Sequence, residues 1–190
     1  VLNTFLEKEK IVRVTHISHL LFPRNAAGFI SIAAAILLIS VYMLQHIGGL
    51  APCSLCVAQR WPHGVALGLG LIALLPITKL SMQRVLLGLC AITFCVTSII
   101  GIYHSGVEYG WFAGPAACSD TINSNSLESL RLKLSAQSIV RCDKVLWSFL
   151  GISLSTYNAI ISAGLAFFSA ASTFGMFRLN RKMGWPKEKS

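Results

Sequence analysis

Along the chain, apolar residues gather in long uninterrupted runs, and Lys, Arg, Asp and Glu fall between the runs. A helix needs about 20 such residues to cross a bilayer. The first stretch that qualifies lies between Arg24 and His46. The second runs from near Trp61 to just before Lys79, the third from Val85 to about Tyr103, and the fourth ends at Phe177. The uncharged stretch feeding the fourth run is too long for one span. Its helix is therefore expected to start near Ser155, with Val145 to Leu154 as an interfacial lead-in carrying Trp147, Phe149 and Leu150. The pattern predicts an all-α membrane protein, a four-transmembrane-helix bundle. A weaker signal lies between the third and fourth runs, where Leu127, Leu130 and Leu134 recur at i, i+3, i+7 with Glu128, Arg131 and Lys133 between them. That spacing predicts a short amphipathic helix, either lying on the bilayer surface or packed on the bundle.

Composition agrees with this picture. Hydrophobic residues make up 54% of the chain and charged residues 12%, where a soluble domain carries about 25% charged residues. The net charge of +9 could suggest nucleic acid, but that would require a basic patch interleaved with aromatics. Here the cations sit at the ends of apolar runs, so no nucleic-acid partner is expected. They also orient the chain. Lys8, Lys10, Arg13, Arg24, Lys79, Arg84, Arg178, Arg181, Lys182, Lys187 and Lys189 fall on one side, and Arg60, Arg131, Lys133, Arg141 and Lys144 on the other. The richer side is cytoplasmic by the positive-inside rule. Both termini and the short 79–84 turn are then cytoplasmic, and the loops 46–60 and 105–144 face outward. Residues 1–25 read as a cytoplasmic N-terminal tail, 26–177 as the four-helix membrane domain, and 178–190 as a basic cytoplasmic tail. The first run lacks a short apolar core followed by a small-residue cleavage site, so it is expected to remain as an uncleaved first helix.

The six cysteines divide by location. Cys90 and Cys95 lie inside the third run, five residues apart and on different helix faces, and read as small buried apolar residues. Cys53, Cys56, Cys118 and Cys142 fall in the outward loops, a compartment that permits disulfides. A Cys53-x-x-Cys56 loop is too short to restrain much chain entropy, so thiol exchange explains it better than stapling. Cys118 and Cys142 are left to each other, and on spacing alone that pair could be a structural staple or an exchanging one. Val57 follows Cys56 where haem attachment needs His, and the 118–142 spacing is wrong for the second close pair of a zinc site; no metal is expected. The CxxC precedes the second helix, whose free N–H groups favour a thiolate. Arg60, four residues beyond Cys56, stands on the same face if the helix has begun, and Pro62 is expected in the first turn, where proline is tolerated.

These residues resemble a known family. The run LQHIGGLAPCSLCVAQRWPHG is similar to the first outward loop of DsbB proteins, which carry PCxLC followed by Gln-Arg or Glu-Arg. GIYHSGVEYGWFAGPAAC resembles the end of their third helix and the start of their second loop, and IVRCDKVLWSFLGISLSTYN the second cysteine of that loop and the beginning of the fourth helix. The likeness spans roughly 26–177. It implies a thiol:quinone oxidoreductase of the bacterial inner membrane with its redox loops in the periplasm. Cys53 and Cys56 match the pair that reacts with quinone (ubiquinone or menaquinone), Cys56 being the thiolate at the ring. Cys118 matches the cysteine attacked by a DsbA-like thioredoxin-fold partner, Cys142 its loop partner, Arg60 the arginine beside the quinone, and His104 a histidine at the third helix end. Glu108, four residues on, is placed either to pair with His104 on the surface or to assist proton movement. Two other readings compete. A vitamin K epoxide reductase-like enzyme is also a four-span bundle but carries its CxxC late in the chain. A non-enzymatic membrane protein with stapled loops predicts inert cysteines.

Overall fold

The computed structural model describes residues 22–115 and 141–183, with side chains as far as Phe174. Its helices are α1 (Pro23–His46), α2 (Ser54–Leu74), α3 (Leu80–Glu108) and α4 (Leu154–Met183). A two-stranded ribbon, β1 (Ser148–Phe149) and β2 (Ile152–Ser153), leads into α4. α1 begins where Pro23 follows an extended Phe22, a position whose missing N–H costs nothing. α2 ends one residue before the position preceding Pro76. Leu75 is driven out of helical geometry (ψ 139°) because the proline ring disfavours it there.

Three of these helices, Pro23–His46, Leu80–Glu108 and the Leu154–Phe174 part of α4, are long and apolar enough to cross a membrane. α2 falls short of that mark because its first half carries Gln59, Arg60 and His63. It also differs from the expected boundaries. It starts at Ser54, well before Trp61, because Cys53 caps it, and it stops at Leu74, short of Lys79. Pro62 consequently lies inside the helix, not in its first turn. It offers no N–H to the Ala58 carbonyl.

α3 is the central element, packed against α2 on one side and α4 on the other, and α1 lies mainly along α2. The shared core is built from small residues and a few large ones: Ala26, Ala27, Ile30 and Ala34 of α1, Ala66 and Ala73 of α2, Leu86, Leu87, Cys90 and Phe94 of α3, and Leu165 and Ala166 of α4. Small residues let helices approach closely where lipid offers no hydrophobic drive to association. A Cβ on Gly70 would stand 2.3 Å from Ser31 Oγ, and one on Gly101 would stand 3.0 Å from Ala159 Cβ. Hydroxyls tie helices to neighbouring backbones: Ser98 Oγ donates to the Ala159 carbonyl at 3.0 Å and Ser169 Oγ to the Leu87 carbonyl at 2.7 Å. Ile32, Ile36, Ile39, Ile92 and Ile99 face outward, as lipid-contacting positions do. Cys90 is buried as expected, but Cys95 is exposed on the outer face of α3.

The lead-in to α4 is a tight hairpin, with Ser148 opposite Ser153 and Phe149 opposite Ile152. Leu150 and Gly151 both have positive φ, 51° and 78°, the geometry of a two-residue turn matched to strand twist. α4 starts at Leu154, next to the expected Ser155. The expected amphipathic helix around Leu127–Leu134 and most of both tails lie outside the described residues.

Candidate active site: a dithiol beside an apolar cavity

The N-terminus of α2, the C-terminus of α3 and the start of α4 converge at one end of the bundle. Cys53 is the N-cap of α2, in extended geometry, and its sulfur accepts a hydrogen bond from the Cys56 N–H at 3.3 Å. One helical turn brings the two sulfurs to 3.0 Å, hydrogen-bonded to each other, and both are free thiols. His104 Nε2 lies 3.5 Å from Cys53 Sγ. The hydrogen bond with Cys56 is the main force drawing the Cys53 pKa down from the ordinary thiol value; burial opposes it and the His104 contact adds to it. The pair thus favours one thiolate shared across the two sulfurs, with His104 beside Cys53.

Cys142 is fully buried and disulfide-bonded. One sulfur from each of Cys53 and Cys142 and a ring nitrogen of His104 all lie within 4.8 Å of one another, and Ser54 Oγ is 3.6 Å from Cys142 Sγ. Such a trio could ligate a metal were Cys142 free. With Cys142 oxidised, the geometry offers a thiolate next to a disulfide sulfur, the arrangement that thiol–disulfide exchange requires. Cys118, the partner expected for Cys142, lies outside the described residues. The Arg141 guanidinium is engaged by Asp143, with Nε–Oδ1 2.8 Å and Nη2–Oδ2 2.5 Å, so its charge is partly spent there.

A polar chain runs inward from His104. Gln59 Nε2 is 2.9 Å from His104 Nδ1, Asn158 Nδ2 donates to Gln59 Oε1 at 2.6 Å, and His63 Nε2 is 2.8 Å from Asn158 Oδ1. On its other side His104 Nε2 is 3.8 Å from Glu108 Oε1. Glu108 in turn accepts a hydrogen bond from Ser155 Oγ. The His104–Glu108 pair is buried, with side chains 3% and 5% exposed, and is not a surface pair. Ser105, Ser153, Ser155 and Thr156 join their hydroxyls around it.

Beside this chain opens a cavity of about 150 Å³ between α1, α2, the end of α3, the start of α4 and Leu146 and Trp147 ahead of the hairpin. Leu37, Leu38, Val41, Leu44, Leu146, Trp147 and Ile161 supply its apolar wall, and Cys56, Gln59, Arg60, His63, His104, Glu108 and Asn158 its polar points. Arg60 is on the Cys56 face of α2, yet its guanidinium reaches across to α1, donating to Gln45 Oε1 at 2.6 Å and lying 5.1 Å over the Tyr42 ring.

A family model, Disulfide bond formation protein DsbB, matches residues 23–172. The chain belongs to the DsbB family. It is 32% identical over 136 residues to an uncharacterized protein of Rickettsia prowazekii (strain Madrid E), covering 70% of this chain and 77% of that one. It is also 27% identical over 153 residues to Disulfide bond formation protein B of Polaromonas sp., covering 76% of this chain and 86% of the relative. A third relative, Disulfide bond formation protein B of Verminephrobacter eiseniae, is 28% identical over 152 residues, with 74% and 80% covered. As a DsbB-family chain with three membrane-length apolar helices, it is a membrane protein of disulfide bond formation, and the family implies disulfide-forming oxidoreductase activity.

Of the residues singled out from this DsbB-family sequence, Cys53, Cys56, His104 and Cys142 meet at one junction, and Arg60 lines the adjoining cavity. Sequence reasoning noted Gln59 only as part of the Gln-Arg motif, without a role, and passed over His63 and Asn158. For Gln59 and His63 the signal was present: Cys56, Gln59 or Arg60, and His63 follow i, i+3/i+4, i+7, a polar stripe within an otherwise apolar helix. Buried polar residues in such helices mark function more often than packing.

Proposed function

We propose that the chain is a thiol:quinone oxidoreductase of the bacterial inner membrane. It reoxidises a periplasmic DsbA-like thioredoxin-fold protein and passes the electrons to a membrane quinone, ubiquinone or menaquinone. In this reading α1 to α4 all span, both termini are cytoplasmic, and the 46–60 and 105–144 loops are periplasmic. α2 crosses despite Arg60 because that cation lies near the outer end, held by Gln45 and Tyr42 of α1.

The observation that carries the reading is the stacked order of sulfurs and cavity: disulfide-bonded Cys142, then Cys53, then Cys56, then an apolar cleft. A thiolate of the partner attacks Cys118 and opens the Cys118–Cys142 disulfide. The partner closes its own disulfide, leaving two electrons and two protons with the loop pair. The loop pair closes again as the Cys53–Cys56 disulfide opens, Cys142 and Cys53 being the adjacent sulfurs. Cys53–Cys56 then recloses as two electrons leave through the Cys56 side, where the cavity begins. The quinone supplies a two-electron, two-proton acceptor there. The cavity suits a flat apolar ring with polar oxygens, since its wall is aliphatic and aromatic and its polar points include the Arg60 cation. His104 Nε2 faces the Cys53 sulfur, where its N–H would hold the thiolate charge, and the buried Glu108 carboxylate lies 3.8 Å from the same ring nitrogen.

The test is direct. Purified chain, a reduced DsbA-like protein and ubiquinone or menaquinone are mixed, and quinone absorbance is followed. The reading expects absorbance to fall in step with partner oxidation for at least one quinone. Partner oxidation without quinone loss, or no oxidation with either quinone, contradicts it.

A further inference from the structure

Between Lys144 and α4 the chain carries no charged residue, and its apolar side chains stand in the open. Trp147 is 40% exposed, Phe149 55% and Leu150 82%. Trp147 and Phe149 stack, with ring centroids 6.1 Å apart and planes 5° from parallel, so they form one flat wall. Leu150 stands at the tip of the hairpin with φ 51°, beside Gly151. Positive φ at both central residues of such a turn is ordinarily supplied by Asn, Asp or Gly. A leucine is strained there, and at this exposure in water it would also hold a large apolar side chain away from any neighbour. Neither cost serves the turn itself, which a polar residue would close better.

The hairpin backbone, by contrast, is well provided with partners. Ser148 pairs with Ser153 and Phe149 with Ile152. The Leu154 N–H donates to the Trp147 carbonyl at 3.2 Å, and the Tyr157 hydroxyl donates to the Phe149 carbonyl at 3.1 Å. Satisfied backbone groups are what a lipid boundary demands. The Tyr157 bond also shows where the patch leads. Tyr157 lies one helical turn ahead of Ile160 and Ile161, both exposed. Ile160, Phe167 and Phe174 then recur every seven residues, all exposed, along the part of α4 that is long and apolar enough to cross a membrane. The tip and its aromatic wall therefore continue the lipid-facing stripe of α4.

We propose that the hairpin is seated in the bilayer leaflet at that end of the bundle, with Phe149 and Leu150 among the acyl chains and Trp147 and exposed Lys144 at the headgroups. Indole rings concentrate at that boundary, and a lysine stem reaches from apolar surface to lipid phosphate. The occupant is lipid and not a soluble protein, because the patch runs directly into a surface that the bilayer already covers. The inference holds whichever acceptor the cysteines serve. Its consequence is that the segment carrying buried Cys142 is tied, just beyond that cysteine, to the membrane surface.

The test uses the full chain, labelled at leucine methyls and indole nitrogens, in phosphatidylcholine nanodiscs. NMR signals are read with a nitroxide-bearing phospholipid in the bilayer and, separately, with a water-soluble gadolinium chelate. Leu150 is assigned by the loss of its signal in Leu150→Met, and Leu89, on the exposed face of α3, likewise serves as the lipid-facing reference. The Leu150 methyls are expected to broaden with the nitroxide lipid, as those of Leu89 do, and to be spared by the chelate. A second variant, Leu150→Asp, suits the positive φ and keeps the turn but places a charge in lipid. There the Trp147 indole signal, assigned by Trp147→Phe, is expected to gain broadening from the chelate, with no such gain in Leu150→Met. Leu150 methyls broadened by the chelate and not by the nitroxide lipid would put the tip in water and overturn the proposal. The same pattern, abolished on adding a reduced DsbA-like protein, would make the patch a protein-docking face and overturn it as well. A Trp147 signal unchanged in Leu150→Asp would show that the leucine does not seat the hairpin. The Leu150 measurement stands even where Leu150→Asp fails to fold, and none of these outcomes touches the thiol:quinone reading.

Discussion

At the end of the bundle where α1 begins and α2 finishes, Ala26, Ala27, Ile30, Ala73, Leu86 and Leu87 form an apolar cluster, with Gln83 and part of the Arg84 guanidinium buried at the start of α3. At the opposite end the buried residues include Cys53, Gln59, His63, His104 and Ser155, joined by side-chain hydrogen bonds, with Glu108 beside them. The same four helices build both ends, so the difference is one of task. In an apolar medium, close approach of small residues is enough to hold helices together. Polar groups there must satisfy one another, and an arrangement that does so is retained for chemistry. Breaking each end in turn separates the two roles.

The largest effect is expected at the dithiol. Cys53→Ser or Cys56→Ser should reduce quinone turnover to background while the protein still inserts and elutes as a single species; sustained turnover by either would remove the pair from the electron path. The polar chain comes next. Gln59→Leu strips a partner from both His104 and Asn158, and a buried polar group left unpaired costs about 1–3 kcal/mol, so a drop in stability of at least that size is expected in denaturant titration. Turnover should fall as well. At the apolar end, Gly70→Ala forces a Cβ to within 2.3 Å of Ser31 Oγ. Overpacking of this kind costs about 1–3 kcal/mol, but here turnover per folded molecule should be unchanged. Equal losses of turnover in the Gly70 and Gln59 variants would erase the distinction between the ends.

A subtler change concerns charge on Cys53. Its pKa lies below that of a free thiol, so in the reduced protein its thiolate absorbance should persist as pH falls from 9 through the ordinary thiol range and be lost only on further acidification. The sign follows from the lowered value: the charged form is favoured above it and lost on acidification through it. His104→Phe removes one of the lowering causes but leaves the hydrogen bond with Cys56, the larger one. The midpoint should therefore move upward without reaching 9.0. An unmoved midpoint would show that His104 does not act on this sulfur.

The first, third and fourth apolar runs were legible because an uncharged stretch of spanning length has few alternatives, and α1, α3 and α4 contain them. α2 was harder. Its start depends on a cysteine acting as N-cap, which propensity does not anticipate, and its end on Pro76 acting through Leu75. Pro62 was misplaced for the same reason, since a helix taken to begin near Trp61 puts that proline in its first turn. The four loop cysteines were distinguished by spacing and compartment, and those within the described residues come together. His63 and Asn158 were not foreseen because a search for Lys, Arg, Asp and Glu passes over neutral polar residues. Their partnership joins positions 95 residues apart, a contact that no local spacing reveals. Glu108 was noticed, but its burial depends on Ser155 of another helix.

The central claim is that Cys53 and Cys56 hand two electrons directly to a quinone. A single-turnover measurement isolates that step: the chain carrying Cys118→Ser and Cys142→Ser, fully reduced, is given one equivalent of quinone, and both quinone absorbance and the cysteine linkages by mass spectrometry are read. The account predicts one hydroquinone formed per Cys53–Cys56 disulfide. Quinone left unreduced, or reduced while Cys53 and Cys56 remain thiols, would contradict it.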